Sequence, residues 1–204
     1  MGATMTRNHR FSSSKPEPQG GFTLVEVMIA IAIMSIGMLA IIATLGVAIQ
    51  SSQSSQENLI ARQKALEALE SIYTARNTQQ LTFAQIANIS SGGIFTSSAT
   101  QMLAPGPDGL VNTADDISFP VSGVCPAGPE CIVLPGPDGI LGTPDDVPMS
   151  LGNFTRQILI NNVLDVNGNI DSNMRQVQVT VTYTKSGTTV PFSYTVNSLI
   201  SSYR

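Results

Sequence analysis

Tryptophan is absent from this 204-residue chain, histidine occurs once and only 12% of residues are charged. The single imidazole, His9, lies in a basic N-terminal segment. If that segment is removed, no histidine remains for a Ser-His-Asp arrangement or a zinc site. Cationic residues are also scarce. The net charge is −4, and losing residues 1–21 removes three cations and one acid to leave −6. Strong nucleic-acid binding needs clustered Lys and Arg to neutralise phosphates, and is not expected here. Cysteine occurs twice, Cys125 and Cys131 in "CPAGPEC". That spacing is not the C-x-x-C of a redox motif, and two thiols do not complete a tetrahedral metal site. In an oxidising compartment a disulfide across this loop contributes roughly 2 kcal/mol on the chain-entropy estimate. Two free surface thiols are the alternative. Proline is missing from Pro18 to Pro105, so nothing forces a helix in that span to break.

Present instead is a long apolar run. Val27 to Ile49 holds no charged residue, and as a helix spans about 35 Å, enough to cross a bilayer. Arg7, Arg10 and Lys15 precede it, so the positive-inside bias keeps the N-terminus cytoplasmic and sends the rest outward. A conventional secretory signal ending near Gly46-Val47-Ala48 is a competing reading, for which the run is too long. A plain uncleaved anchor accounts for the length. It does not account for Glu26, or for Gly20-Gly21 meeting Phe22 at the entrance.

The stretch "GGFTLVEVMIAIAIMSIGMLAI" resembles the class III leader and helix start of type IV pilins and type II secretion pseudopilins. The resemblance rests on a basic leader, a glycine, an aromatic, an acid four residues on and a long apolar run. It implies that a prepilin peptidase cuts between Gly21 and Phe22 and that the new amino terminus at Phe22 is methylated. It further implies that Glu26 of one subunit meets the amine of a neighbour during assembly. An isolated acid at mid-membrane costs on the order of 2.5–3.5 kcal/mol, so such pairing would favour one axial register. Residues four apart share a helix face, which sets the Phe22 terminus and Glu26 on one side. The alternative is Glu26 snorkelling to the interface.

After "QSSQSSQ" at 50–56, Leu59, Leu66, Leu69, Ile72 and Tyr73 recur at helical spacing. They are assigned to the core, and the helix is expected to run to about Arg76. Near the other end, Val177, Val179, Val181 and Tyr183 alternate with polar residues, as do Val190, Phe192, Tyr194 and Val196. With "RQILINNVL" these form an antiparallel meander of about three strands over 154–204, with a hairpin loop at 184–188. The expected fold is α+β, a long N-terminal helix, its first half transmembrane, packed on a C-terminal β-meander. Its divisions are 1–21 (leader), 22–49 (membrane and assembly helix), 50–76 (extramembrane helix), 77–153 (loop-rich region) and 154–204 (sheet). This order also resembles PilV-like minor pilins of the pilus-modification kind.

The middle of the chain repeats itself: "PGPDGLVNTADDI" at 105–117 and "PGPDGILGTPDDV" at 135–147. Residues 105–147 hold seven acids and no base, a cluster that repels itself unless something positive joins it. Calcium, which takes six to eight oxygens from flexible loops, suits the composition. Candidate ligands are Asp108, Asn112, Asp115 and Asp116 in the first copy, and Asp138, Asp145 and Asp146 in the second. A weaker candidate is "DVNGNID", with Asp165, Asn167, Asn169 and Asp171, where Ile170 stands in place of the glycine of an EF-hand loop. The ordinary alternative is that Gly, Pro, Asp and Asn simply form turns.

The expected function is that of a structural minor subunit of a type IV pilus. No cofactor is required, though calcium is a candidate. Its partners would be other pilin subunits through the N-terminal helix, the prepilin peptidase, and the inner membrane before assembly. Localisation follows as a single pass through the inner membrane, then periplasm or pilus. A type II secretion pseudopilin is the nearest alternative, and a membrane-tethered calcium-dependent binding module a second. Paired carboxylates can run acid-base chemistry, but here they lie in turns without an apolar pocket, and no enzyme is expected.

Overall fold

The computed structural model describes residues 20–119, 125, 127–185 and 188–203. Most of the leader and two residues of the expected 184–188 loop lie outside these. The chain forms two compact units, Met1–Val47 and Ala48–Arg204.

One helix, α1, runs Leu24–Asn77 with no proline to interrupt it. In the first unit every described residue is exposed. In the second, α1 buries Glu57, Ile60, Ala61, Lys64, Ala65, Ala68, Ile72 and Ala75, a stripe at helical spacing. Four of the eight are alanines, and with Ile60 and Ile72 they join the buried strand residues in one hydrophobic core. This corrects the expected core face. Ile72 is buried and Leu69 and Tyr73 pack at the margin, but Leu59 and Leu66 are 64% and 42% exposed. The buried stripe mixes four alanines with Glu57, Ile60, Lys64 and Ile72, and leaves the two leucines outside it.

Among the described residues six strands follow: β1 Thr100–Gln101, β2 Cys131–Leu134, β3 Val147–Ser150, β4 Phe154–Leu164, β5 Ile170–Thr184 and β6 Pro191–Ser201. The main sheet has the order β1-β4-β5-β6, antiparallel throughout, so the expected three-strand meander is present and gains β1 as a short edge. Val177, Val179, Val181 and Tyr183 of β5 are buried, as period-two alternation requires. The inner row of β6 is only partly covered, because β6 is an edge strand. The second sheet, the β2–β3 hairpin, lies within the stretch expected to be loop-rich. A disulfide joins Cys125 to Cys131 at its base.

Two asparagines complete the outer edge of β4 where β1 stops. Asn88 donates from Nδ2 to the Ile158 carbonyl (2.8 Å) and accepts at Oδ1 from the Ile160 amide (2.8 Å). Its side chain thus takes the place of a neighbouring strand residue. Asn112 does part of the same for the Arg156 carbonyl (2.9 Å). These contacts are buried, so the backbone groups involved have no access to water and need a protein partner.

Candidate processing and assembly site

The entrance to α1 is open on all sides. Gly20 and Gly21 precede the helix outside any regular element, with no atom within 4 Å of where a Cβ would stand. Phe22 is 82% exposed, so the Gly21–Phe22 peptide is accessible to an enzyme. Thr23 ends the helix: its Oγ1 accepts the Glu26 amide at 3.2 Å, and its carbonyl accepts the Val27 amide at 3.2 Å. Thr23-Leu24-Val25-Glu26 is therefore the S/T-x-x-E pattern of a helix N-terminus, a signal legible in the sequence itself. It places Glu26 in the first turn, where the positive end of the helix dipole favours a carboxylate. It also corrects one expectation. Phe22 lies before the cap rather than on the helix, so the four-residue spacing does not by itself put Phe22 and Glu26 on one helical face.

Beyond Glu26 the helix presents exposed aliphatic side chains all round, including Ile29, Ile33, Leu39, Ile42 and Ile49. A helix apolar on every face suits lipid or a bundle of like helices. Among the described residues it is the one helix long and apolar enough to cross a membrane.

The two acidic repeats fold alike. In the first, Asp108 Oδ1 accepts the Leu110 amide (2.8 Å), Asp116 Oδ2 accepts the Asn112 amide (2.8 Å), and the Thr113 hydroxyl donates to Asp115 Oδ1 (2.7 Å). In the second, Asp138, Asp146 and Asp145 take the amides of Ile140 and Gly142 and the Thr143 hydroxyl at 2.8, 2.7 and 2.6 Å. Glycine is required at Gly106 and Gly136, where a Cβ would lie 2.3 Å from the carbonyl oxygens of Asp115 and Asp145. Hydrogen bonds from Thr113 and Thr143 hold the Asp115 and Asp145 carboxyls below the usual range. For Asp108, desolvation outweighs its backbone hydrogen bond and, with the charges of Asp115 and Asp116, pushes the carboxyl up.

The structure keeps the repeats apart. The first lies beside Glu67, Glu70, Thr74 and Gln80 of the chain, whereas the strand ends flanking the second, Leu134 and Val147, lie beside Gln53, Gln56 and Glu57. They are thus separate sites near opposite ends of the second unit's part of α1. The third candidate is the β4–β5 turn, where Asp165 Oδ1 accepts the Asn167 and Asn169 amides (both 2.8 Å), which lowers its pKa. Asp171 accepts the Asn173 amide (2.8 Å). Asn112 faces inward, its Oδ1 taken by Arg156 Nε at 2.7 Å, which removes it from the oxygens open to a cation. Among the described residues no group of three or more His, Cys, Asp or Glu side chains is placed to hold a metal ion. One carboxylate atom, Asp146 Oδ1, is buried without a hydrogen-bond partner among them.

The positive charge the acid-rich segment lacks comes from elsewhere. Arg156, 1% exposed, lies under the first repeat. Burial pushes its guanidinium down from the ordinary value, against the attraction of Glu130, Asp116 and Glu67. Lys64 on α1 bonds Glu130, and Glu67 at 2.8 Å. Burial disfavours its ammonium, but the two carboxylates outweigh burial and the pKa is raised. Neither partner could be foreseen from the local sequence, since each lies tens of residues away.

Residues 18–42 match the family model described as the prokaryotic N-terminal methylation motif. The matched segment includes Gly21, Phe22, Thr23, Glu26 and the first turns of the apolar helix. No curated protein and no solved structure matches the chain.

Proposed function

We propose that this chain is a structural minor subunit of a type IV pilus. A prepilin peptidase cuts between Gly21 and Phe22, the new N-terminus is methylated, and the apolar helix packs among like helices. The observation that carries this reading is the methylation motif at residues 18–42, continuous with a helix exposed and apolar on every face. Glu26, in the first turn of that helix, pairs with the amine of a neighbouring subunit, which relieves the cost of its charge in a low-dielectric core. The proline-free span from Pro18 to Pro105 favours a minor over a major subunit, since major pilins often carry a proline there. A type II secretion pseudopilin shares this N-terminus and is the alternative within the same class.

Mass spectrometry of the protein from its native host tests the reading. A methylated phenylalanine at residue 22 is expected. An N-terminus at Met1 or Ile49 would overturn it, as would normal filament entry by a Gly21 variant that keeps its leader.

Calcium-dependent binding by the second acidic repeat is a second reading, favoured by the buried, unpartnered Asp146 Oδ1. Asp146 would offer Oδ1 to the ion, with turn carbonyls and water completing the shell, since no three carboxyls of the described residues are placed to hold it together. A ligand that binds only the native state must stabilise it, so calcium should raise the melting temperature and chelator reverse the rise. Identical melting would end this reading.

A further inference from the structure

The two edges of the main sheet are finished differently. Along β4, side chains occupy the outer backbone groups where β1 stops: Asn88 takes the Ile158 carbonyl and the Ile160 amide, and Asn112 the Arg156 carbonyl. Along β6 the outer groups can be identified from the register. A strand residue turns its N–H and C=O to the same side, and successive residues alternate sides. Ile158 and Ile160 turn away from β5, so Gln157 and Leu159 turn toward it, opposite Thr180 and Gln178. Val179 and Val181 then face β6, where they pair with Val196 and Tyr194. Ser193, Thr195, Asn197 and Leu199 are left turned away from the sheet.

The helix closes one end of this edge. Tyr73 donates its hydroxyl to the Leu199 carbonyl at 2.6 Å, as that alternation requires, and Arg76 bonds the Tyr203 carbonyl. Among the described residues no hydrogen bond reaches the outward main-chain groups of Ser193, Thr195 and Asn197. Sheet edges are ordinarily guarded by charge, by a bulge or by proline. β6 carries no charged residue, its register with β5 runs unshifted from Thr184↔Pro191 to Met174↔Ser201, and its one proline stands at the start. Beside the open groups, Tyr194 and Val196 pack against the core but are only partly covered.

We infer that β6, at Ser193–Asn197, is a docking edge for an extended segment of another polypeptide, which adds a strand to the sheet. The chemistry of the partner follows from the edge. Alternate residues that each offer a donor and an acceptor in the plane of the sheet match an extended backbone. Side chains of the added strand fall alternately beside Tyr194 and Val196, where apolar ones complete the cover, and beside the exposed Ser193, Thr195 and Asn197, where small polar ones fit. A second copy fits less well. β6 runs in the same direction as α1, since Tyr183, opposite Phe192, accepts from Asn58 while Leu199 accepts from Tyr73. Two copies joined antiparallel through β6 would set these helix segments in opposite directions, whereas subunits of one pilus share a direction. Only this choice of a foreign segment rests on the pilus reading; the open edge itself does not.

The test is amide hydrogen exchange of the full chain, read by NMR in phosphocholine micelles, with the peptide Thr-Val-Thr-Val-Thr-Val as probe. Its valines are N-methylated, so only the threonine edge can pair and the peptide cannot stack on itself. At millimolar concentration it should slow exchange at Ser193, Thr195 and Asn197 and leave Tyr194 and Val196, which face β5, unchanged. The same peptide methylated at every residue should protect none of them. Thr195→Pro removes the central outward donor without touching the β5 ladder, and should weaken peptide binding about tenfold. If that variant does not fold, the two peptides give the same comparison on the unaltered chain. Unchanged exchange at the three outward amides would overturn the inference, as would equal protection by the fully methylated peptide. Protection present before peptide is added would overturn it too, and a rise of that protection with protein concentration would identify the occupant as a second copy.

Discussion

Replacing Asn88 by alanine removes no apolar contact of consequence but strips two partners from the edge of β4. The Ile158 carbonyl and the Ile160 amide each lose a hydrogen bond of 2.8 Å. Ile158 is fully buried and Ile160 is 9% exposed, so water does not readily substitute. Each unsatisfied buried backbone group costs about 1–3 kcal/mol, and partial relaxation of the edge sets the total at about 2–5 kcal/mol. That is a large share of the stability of a domain this size. The assay is urea unfolding of the piece Ala48–Arg204, which holds every residue of the hydrophobic core, with hydrogen exchange at the Ile160 amide read in parallel. Asn88→Ala should lower the urea midpoint and accelerate exchange at Ile160 more than at the paired amides of β5. Asn88→Asp keeps the acceptor but sets a carboxylate against the Ile158 carbonyl, and should be no better. A loss below about 0.5 kcal/mol, the range of ordinary surface substitutions, would refute the idea that this side chain stands in for a strand.

Three further outcomes are expected. Gly106→Ala forces a Cβ into the Asp115 backbone beneath buried Leu110 and should destabilise the domain by about 1–3 kcal/mol, whereas Gly136→Ala, in the exposed copy, should change global unfolding far less; equal losses in the same urea assay would show that both loops are integral to the core. Glu26→Gln should insert normally but assemble poorly, measured by its incorporation into sheared filaments, and equal incorporation would reduce Glu26 to a capping residue. Lys64 has a folded pKa raised above the ordinary value near 10.4, so its stabilisation is complete below about pH 10 and is lost as pH climbs through the folded value. Glu67→Gln with Glu130→Gln should flatten the fall in melting temperature across that alkaline window, and an unchanged slope would refute the assignment.

Periodicity made much of the architecture legible. The uninterrupted helix, the alternating Val177–Tyr183 row and the order of helix before meander all rest on patterns spanning many residues, which single neighbours do not override. The β2–β3 hairpin escaped notice because four-residue strands containing Pro148 carry little alternation. Leu59 and Leu66 stay exposed because hydrophobicity alone does not say which face of a helix is covered; the buried stripe includes Ala61, Ala65, Ala68 and Ala75. In the acidic repeats the residues were evident and their neutralisation was not. Arg156 belongs to a strand whose pattern reads as apolar and polar alternation, and only the register puts it inside, against Asn112. At the entrance to α1 the opposite occurred: Thr23 and Glu26 spell out a helix cap, and an eye on the acid alone passes over the threonine.

The unequal burial of the two acidic repeats also bears on how such a chain can change over time. One copy has its aliphatic pair, Leu110 and Val111, locked into the interior, so exchanges there are answered by the stability of the whole domain. The other repeats the same backbone plan with its pair, Ile140 and Leu141, exposed. A duplicated loop of this kind separates inheritance from innovation: the first copy keeps the domain intact, and the second can acquire new side chains without putting the fold at risk.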